Sequence, residues 1–302
     1  MNEAEVRSVG PEALRQRLQA AVTRLREEDR RRRHAARILK SCTAAGVLES
    51  LPRLQRLLQA LRELGPEVQE RLQIADLCRD LEQWAAEKSQ RLRSDLGRQL
   101  RDAFTTRGLG FRVVSRDDPV EVRIPPLSLR LDFGRSKAVW QFAREPLREV
   151  GLDPKAIEKA YDAARRQLEW PEFSPPTFLH HCYQAYREAL LATNRQAGDR
   201  VEFEHFLPRL ALHLQRRSFL RNPQKGLFRD YSRAHFAYDV LRLRRAGQLA
   251  HNGWRLNLGV ATGSTAQQKE RVIYFEDEEG NGEYKLTVFF TRSEETPQGG
   301  KA

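Results

Sequence analysis

YSRAHFAYDVLRLRRAGQLAHNGWRLNLGVATGSTAQQKERVIYFEDEEGNGEYKLTVFF, residues 231–290, is the stretch whose reading decides the fold. Ser232 to Ala246 has the spacing of a basic amphipathic helix, and Gly247 stands where a helix C′ residue belongs. Trp254 to Val260, Arg271 to Glu276 and Glu283 to Phe290 alternate like strands, with Glu279-Gly280-Asn281-Gly282 as a strong turn signal. A helix therefore runs into a β-hairpin, with arginines crowded at the helix end.

Working outward, two more helical segments precede it, at about Pro175 to Asn194 and Phe203 to Phe219. Pro208 makes the second start late or bend. A proline-rich joint, Trp170 to Pro176, lies upstream. The order of three helices and three strands over residues 175–290 resembles a winged-helix domain, at the level of pattern and over about the last third of the chain. The resemblance implies that Ser232 to Ala246 is the recognition helix, with Arg233 and His235 toward base edges. Arg242, Arg244 and Arg245 would then reach phosphates, and Arg216, Arg217, Arg221, Lys225 and Arg229 would extend the patch. The hairpin tip is acidic (Glu276, Asp277, Glu278, Glu279), which suits a protein partner better than phosphate. Winged helices also serve as docking modules, including in subunits that accompany chromosome-organising ATPases.

Residues 11–107 read as helix almost throughout. Pro11 suits a first turn, and Leu14, Leu18, Ala21, Leu25, Ala35 and Leu39 form a seam interrupted by Glu28 and Arg32. Ser50 is a candidate N-cap for a helix with Leu51, Leu54, Leu57, Leu58, Leu61 and Leu64 on one face. Gly65-Pro66 breaks it, and a long helix is expected from about Pro66 to Thr106, with Lys88 on its apolar stripe. An antiparallel helical hairpin or small bundle is the simplest arrangement. After Gly108, strands are expected at Phe111 to Val114, Val120 to Ile124, Leu127 to Phe133 and Ala138 to Phe142, with a turn at residues 134–137. Asp153-Pro154 opens a helix carrying Ile157, Tyr161, Ala164 and Leu168. The expected fold class is mainly α with α+β parts. It divides into a helical or coiled-coil arm (1–107), a small sheet-plus-helix segment (108–170), a winged-helix-like domain (171–292) and a disordered tail (293–302).

The chain carries 53 Lys and Arg against 41 Asp and Glu, a net charge of +12. Residues 1–110 contribute +6, 111–170 +2, 171–270 +7 and 271–302 −3. Such an excess favours polyanions, nucleic acid first. Arg30 to Arg33 is the densest basic run, but helical residues spray around the axis, and Glu27, Glu28 and Asp29 one turn earlier offset it. Three scattered cysteines, Cys42, Cys78 and Cys182, suit a reducing compartment. With no signal peptide or membrane span expected, the cytoplasm is the default location.

Asp277 before Glu283-Tyr284-Lys285 has the outline of a metal-dependent nuclease site, with two carboxylates for Mg²⁺ and a lysine for the attacking hydroxide. The motif is short and flanks a tight turn. His180 and His181 are adjacent on a helix and point about 100° apart, so they make no joint metal face. Neither a phosphate loop nor a Gly-x-Ser-x-Gly elbow is present. The reading is a non-enzymatic DNA-binding or scaffolding subunit of a larger cytoplasmic assembly, without cofactor or catalytic residues. Its partners are duplex DNA and, through the N-terminal helices, another protein or itself, with no membrane. A pure protein scaffold and a nuclease using the C-terminal hairpin are the alternatives.

Overall fold

The computed structural model describes residues 11–169 and 172–292. Trp170 and Pro171 of the expected joint, and the tail from Ser293, lie outside the described residues. Somewhat more than half of the described residues are helical, and two small antiparallel sheets make the class mixed α+β. The chain forms two compact units. Among the described residues, 11–97 with Phe133–Ser136 make the first, and Arg98–Asp132 with those from Lys137 to Arg292 make the second.

The first unit holds α1 (Pro11–Cys42), α2 (Leu51–Arg62), α3 (Pro66–Arg71) and the first part of α4 (Ala75–Thr106). Ile38, Leu51, Leu54, Leu58, Leu61, Cys78 and Ala85 form its core, so the leucine face expected of α2 is the buried one. Among the described side chains of α1, Ala35 and Ile38 in its C-terminal half are buried, whereas Leu18 and Leu25 stand in solvent. Arg32 and Arg33 pair with Glu28 and Asp29 one turn back, as the charge pattern requires. The helix expected to run unbroken from Pro66 to Thr106 is in fact two. Gln73 takes a φ of 59°, its N–H donates to the Glu70 carbonyl, and the Ile74 N–H reaches back to Gln69. That is a Schellman closure built without glycine, which leaves no composition signal.

In the second unit, β1 (Arg112–Ser115), β2 (Val120–Ile124), β3 (Leu127–Asp132), β4 (Lys137–Phe142) and β5 (Glu145–Gly151) form an antiparallel meander in chain order. Leu129 pairs with Val122 and Trp140, and their shared face is buried. Against it packs α5 (Pro154–Leu168), whose first turn is capped by Asp153 accepting from the Ala156 N–H at 2.7 Å. The Trp140 indole donates to the Ile157 carbonyl at 2.9 Å, and Phe104 meets the Trp140 and Tyr161 rings edge-on. Strand β5 was not expected. Its turn is Ala143-Arg144, with φ of 51° and 64°, and neither residue type advertises a turn needing two positive φ values.

The same unit continues with α6 (Pro175–Ala192), β6 (Val201–Glu202), α7 (Phe203–His213), α8 (Arg217–Arg221), α9 (Arg233–Arg245), β7 (Ala250–His251), β8 (Trp254–Val260), β9 (Ile273–Glu276) and β10 (Gly282–Arg292). The helix expected over Phe203 to Phe219 is split into α7 and α8. The second sheet has the order β6-β10-β8-β7, and β9 pairs with the start of β10. Val288 of β10 is registered with Leu258 of β8 on one side and Val201 of β6 on the other. Gly282 is obligatory where β9 turns into β10, because an added Cβ would lie 1.9 Å from the Phe275 carbonyl oxygen.

Candidate nucleic-acid interface

Helix α9 starts where the sequence places it, with Ser232 as its cap. The Ser232 N–H donates to His235 Nδ1 at 3.0 Å. His235 Nε2 therefore carries the proton and donates to the Gln167 carbonyl at 2.9 Å. Burial holds the ring below its ordinary pKa and so neutral. The helix is buried over most of its length: Ala234 to Leu241 and Leu243 are all buried, His235 and Asp239 among them. It is an interior helix rather than an exposed amphipathic one.

This placement decides what its charged residues do. The Arg233 guanidinium donates to the carbonyls of Lys269, Glu270 and Val272 and lies 3.0 Å from the Glu145 carboxylate. Arg233 and His235, expected to face base edges, thus hold neighbouring segments of their own chain. Arg242 stacks 3.6 Å above the Phe173 ring and approaches Asp239 at 3.4 Å. Arg245 pairs with Glu278 at 2.6 Å. Arg244 is exposed. Asp239 is fully buried, takes a hydrogen bond from the Tyr231 hydroxyl at 3.1 Å, and has its pKa pushed up to about 7 by burial, against the pull of Arg242.

The remaining expected cations lie between α7 and α9, on a segment that sequence periodicity treated as helix and connector. Residues 216–229 hold five basic residues and no acidic one. The segment contains α8 and a single 3-10 turn at Lys225–Leu227. Its neck is closed by the buried Gln215, whose amide donates to the Arg229 carbonyl at 3.0 Å and accepts from the Arg229 N–H at 2.8 Å. Inside the loop, Phe219 and Phe228 pack at 5.3 Å between ring centroids. The backbone is thus held at its base and braced within, as in a compact Ω-type loop. Arg216, Arg217, Arg221 and Lys225 are exposed, and none has an ion pair among the described residues. Arg229, at the neck, is half-buried, and burial and Arg216 lower its pKa. Leu220 is 58% exposed on the same loop.

The acidic hairpin exposes Asp277, Glu278 and Glu279 but buries Glu276. Glu276 is buried against Arg123 of β2, Nη1 to Oε1 2.5 Å, and Arg123 also donates to Ser128 and to the carbonyls of Asp277 and Glu278. Burial raises the Glu276 pKa even with that guanidinium beside it. Glu278 takes Arg245, and Arg112 donates to the Glu279 carbonyl. The hairpin is therefore docked on the meander by arginines more than a hundred residues upstream, a pairing invisible to local sequence reading. Of the nuclease-like trio, Asp277 accepts from the Asn281 N–H at 2.9 Å and ties its own turn, while Glu283 pairs with Lys285. Among the described residues no three His, Cys, Asp or Glu gather as a metal site. The fold does bring His251 to His180, ring nitrogens 3.1 Å apart. The three cysteines are buried and unbridged, and no described helix is long and apolar enough to cross a membrane.

Compared with protein-family models, curated proteins and solved structures, the chain matches none.

Proposed function

We propose that the protein is a non-enzymatic nucleic-acid-binding subunit that grips duplex phosphates through the loop between α7 and α9. The observation that carries this is the set of four solvent-exposed cations, Arg216, Arg217, Arg221 and Lys225, on a loop braced by Gln215 and by the Phe219–Phe228 contact. Cations without internal partners displace condensed counterions from a polyanion, whereas Arg233 and Arg245 must first give up internal contacts. The winged-helix reading draws support from the order α6, β6, α7, α9, β8, β10 and from the sheet order β6-β10-β8. Within it, the buried α9 supplies no free side chain at its N-terminal end, so binding is to backbone and largely independent of sequence.

The test is fluorescence anisotropy with a random-sequence DNA duplex across a salt series. Changing the four cations together to Ala lowers affinity and removes up to about 3–4 from the slope of log K against log salt, at roughly 0.9 per phosphate contact. An unchanged slope removes the loop from the interface. A second reading, a protein-docking scaffold, is favoured by the exposed Leu220, Leu227 and Phe228 on the same loop. It predicts a complex that survives high salt and is lost with Leu220→Asp. The assignment to a cytoplasmic assembly belongs to this proposal and rests on the unbridged cysteines.

A further inference from the structure

A cleft of about 170 Å³ opens between the C-terminal end of α9 and strand β8. Arg244, Arg255 and Lys285 line it together with Val240, Leu249 and Leu256, and no carboxylate does. Lys285 is only 8% exposed, and its ammonium group pairs with Glu283, whose side chain is 55% exposed. Arg244 and Arg255 are exposed and have no ion pair among the described residues. At roughly 15 Å³ of such volume per water, the cleft has room for several waters or one tetrahedral oxyanion. Two unpaired arginines and a paired lysine on one concave, partly apolar wall concentrate positive potential there more than on a flat face. A lysine this buried needs an anion beside it, and here the chain supplies one from its own solvent-facing Glu283.

We propose that this cleft is a phosphate-binding subsite, with Lys285 as its floor, Arg244 and Arg255 as its rim, and Glu283 as an internal surrogate that the anion displaces. The ligand chemistry is a phosphate group, carried either by a small phosphomonoester or by a nucleic-acid backbone. The site lies along the C-terminal half of α9, a helix roughly 20 Å long for 13 residues at 1.5 Å each, whereas the basic loop leads into its N-terminal end. Its existence therefore does not depend on the loop proposal.

The experiment is calorimetric titration of the full chain with inorganic phosphate, chloride being the control anion. Wild type binds phosphate. Glu283→Gln, which removes the competing carboxylate, binds it at least several-fold more tightly. Lys285→Met and the exposed pair Arg244→Ala/Arg255→Ala each bind at least tenfold more weakly. The rim variant alters only exposed side chains, so it remains informative if the Lys285 variant fails to fold. A short DNA duplex added to the phosphate-loaded protein separates the sources: displacement of phosphate assigns the subsite to backbone, and retention assigns it to a free phosphomonoester. No phosphate heat at millimolar concentration, or equal affinity in wild type, Glu283→Gln and the rim variant, overturns the proposal. Loss of duplex binding in the loop variant with phosphate binding intact leaves this site standing and distinguishes the two proposals.

Discussion

Replacing Arg123 by Met tests the contact that docks the C-terminal hairpin on the meander. The side chains of Arg123 and Glu276 are 3% and 5% exposed, with 2.5 Å between Nη1 and Oε1. Taking away the guanidinium strands a buried carboxylate, and also ends the donations to Ser128 and to the Asp277 and Glu278 carbonyls. Breaking a buried pair from one side costs about 3–5 kcal/mol. For a unit of about 150–250 residues each kcal/mol shifts Tm by roughly 2–4 °C, so the expected loss is about 6–20 °C. Glu276→Leu alone leaves the guanidinium unpaired and costs a similar amount. The double variant Arg123→Met/Glu276→Leu removes both charges and recovers most of the loss, because the pair itself contributes little beyond an apolar replacement. Urea unfolding of all four proteins at pH 7 gives the cycle. A single variant costing under about 1 kcal/mol, or losses that simply add, would refute the buried-pair reasoning.

Other expectations follow from the same geometry. Asp239 has an ordinary pKa of 3.8 and is pushed up to about 7 by burial, among Tyr231, Cys182, Arg229 and Arg242. An acid with a raised folded pKa contributes fully below its unfolded value, and that contribution is lost as pH rises through the folded value. Between pH 4 and 8 wild type should therefore lose stability relative to Asp239→Asn, by at most about 4 kcal/mol at 1.4 kcal/mol per unit, and a pH-independent difference speaks against it. Gly282→Ala should destabilise by about 1–3 kcal/mol or more, since its Cβ meets the Phe275 backbone, and a neutral result by thermal denaturation would mean β9 and β10 do not close as described. Arg245→Ala, whose charge is paired with Glu278, should leave the salt slope of DNA binding within experimental error, whereas a drop near 0.9 would return that arginine to the interface.

Much of the architecture was legible in the residues. Strong local signals decided it: Asp153-Pro154 opened α5, Gly247 closed α9, and the alternation of Leu127, Leu129 and Leu131 marked β3. Elements without such signals were missed. The break at Gln73 uses no glycine, the Ala143-Arg144 turn uses none of the usual turn residues, and β6 is two residues long. The candidate site was legible as composition but not as placement. The ten residues of the expected basic patch follow from residue type and from their position in the winged-helix resemblance. The fold gives Arg233, His235, Arg242 and Arg245 partners within the chain and leaves Arg216, Arg217, Arg221 and Lys225 in solvent. The deciding partners, Glu145, Gln167, Phe173 and Glu278, lie between 33 and 88 positions away in the chain, a distance over which no periodicity carries information.

The most direct measurement is the salt dependence of binding to a random DNA duplex, wild type beside the variant with Arg216, Arg217, Arg221 and Lys225 all changed to Ala. The account predicts salt-sensitive binding by wild type, with intact DNA when Mg²⁺ is present, and a slope smaller by up to about 3–4 in the variant. Two superimposable lines, or no binding by wild type at low salt, would contradict it.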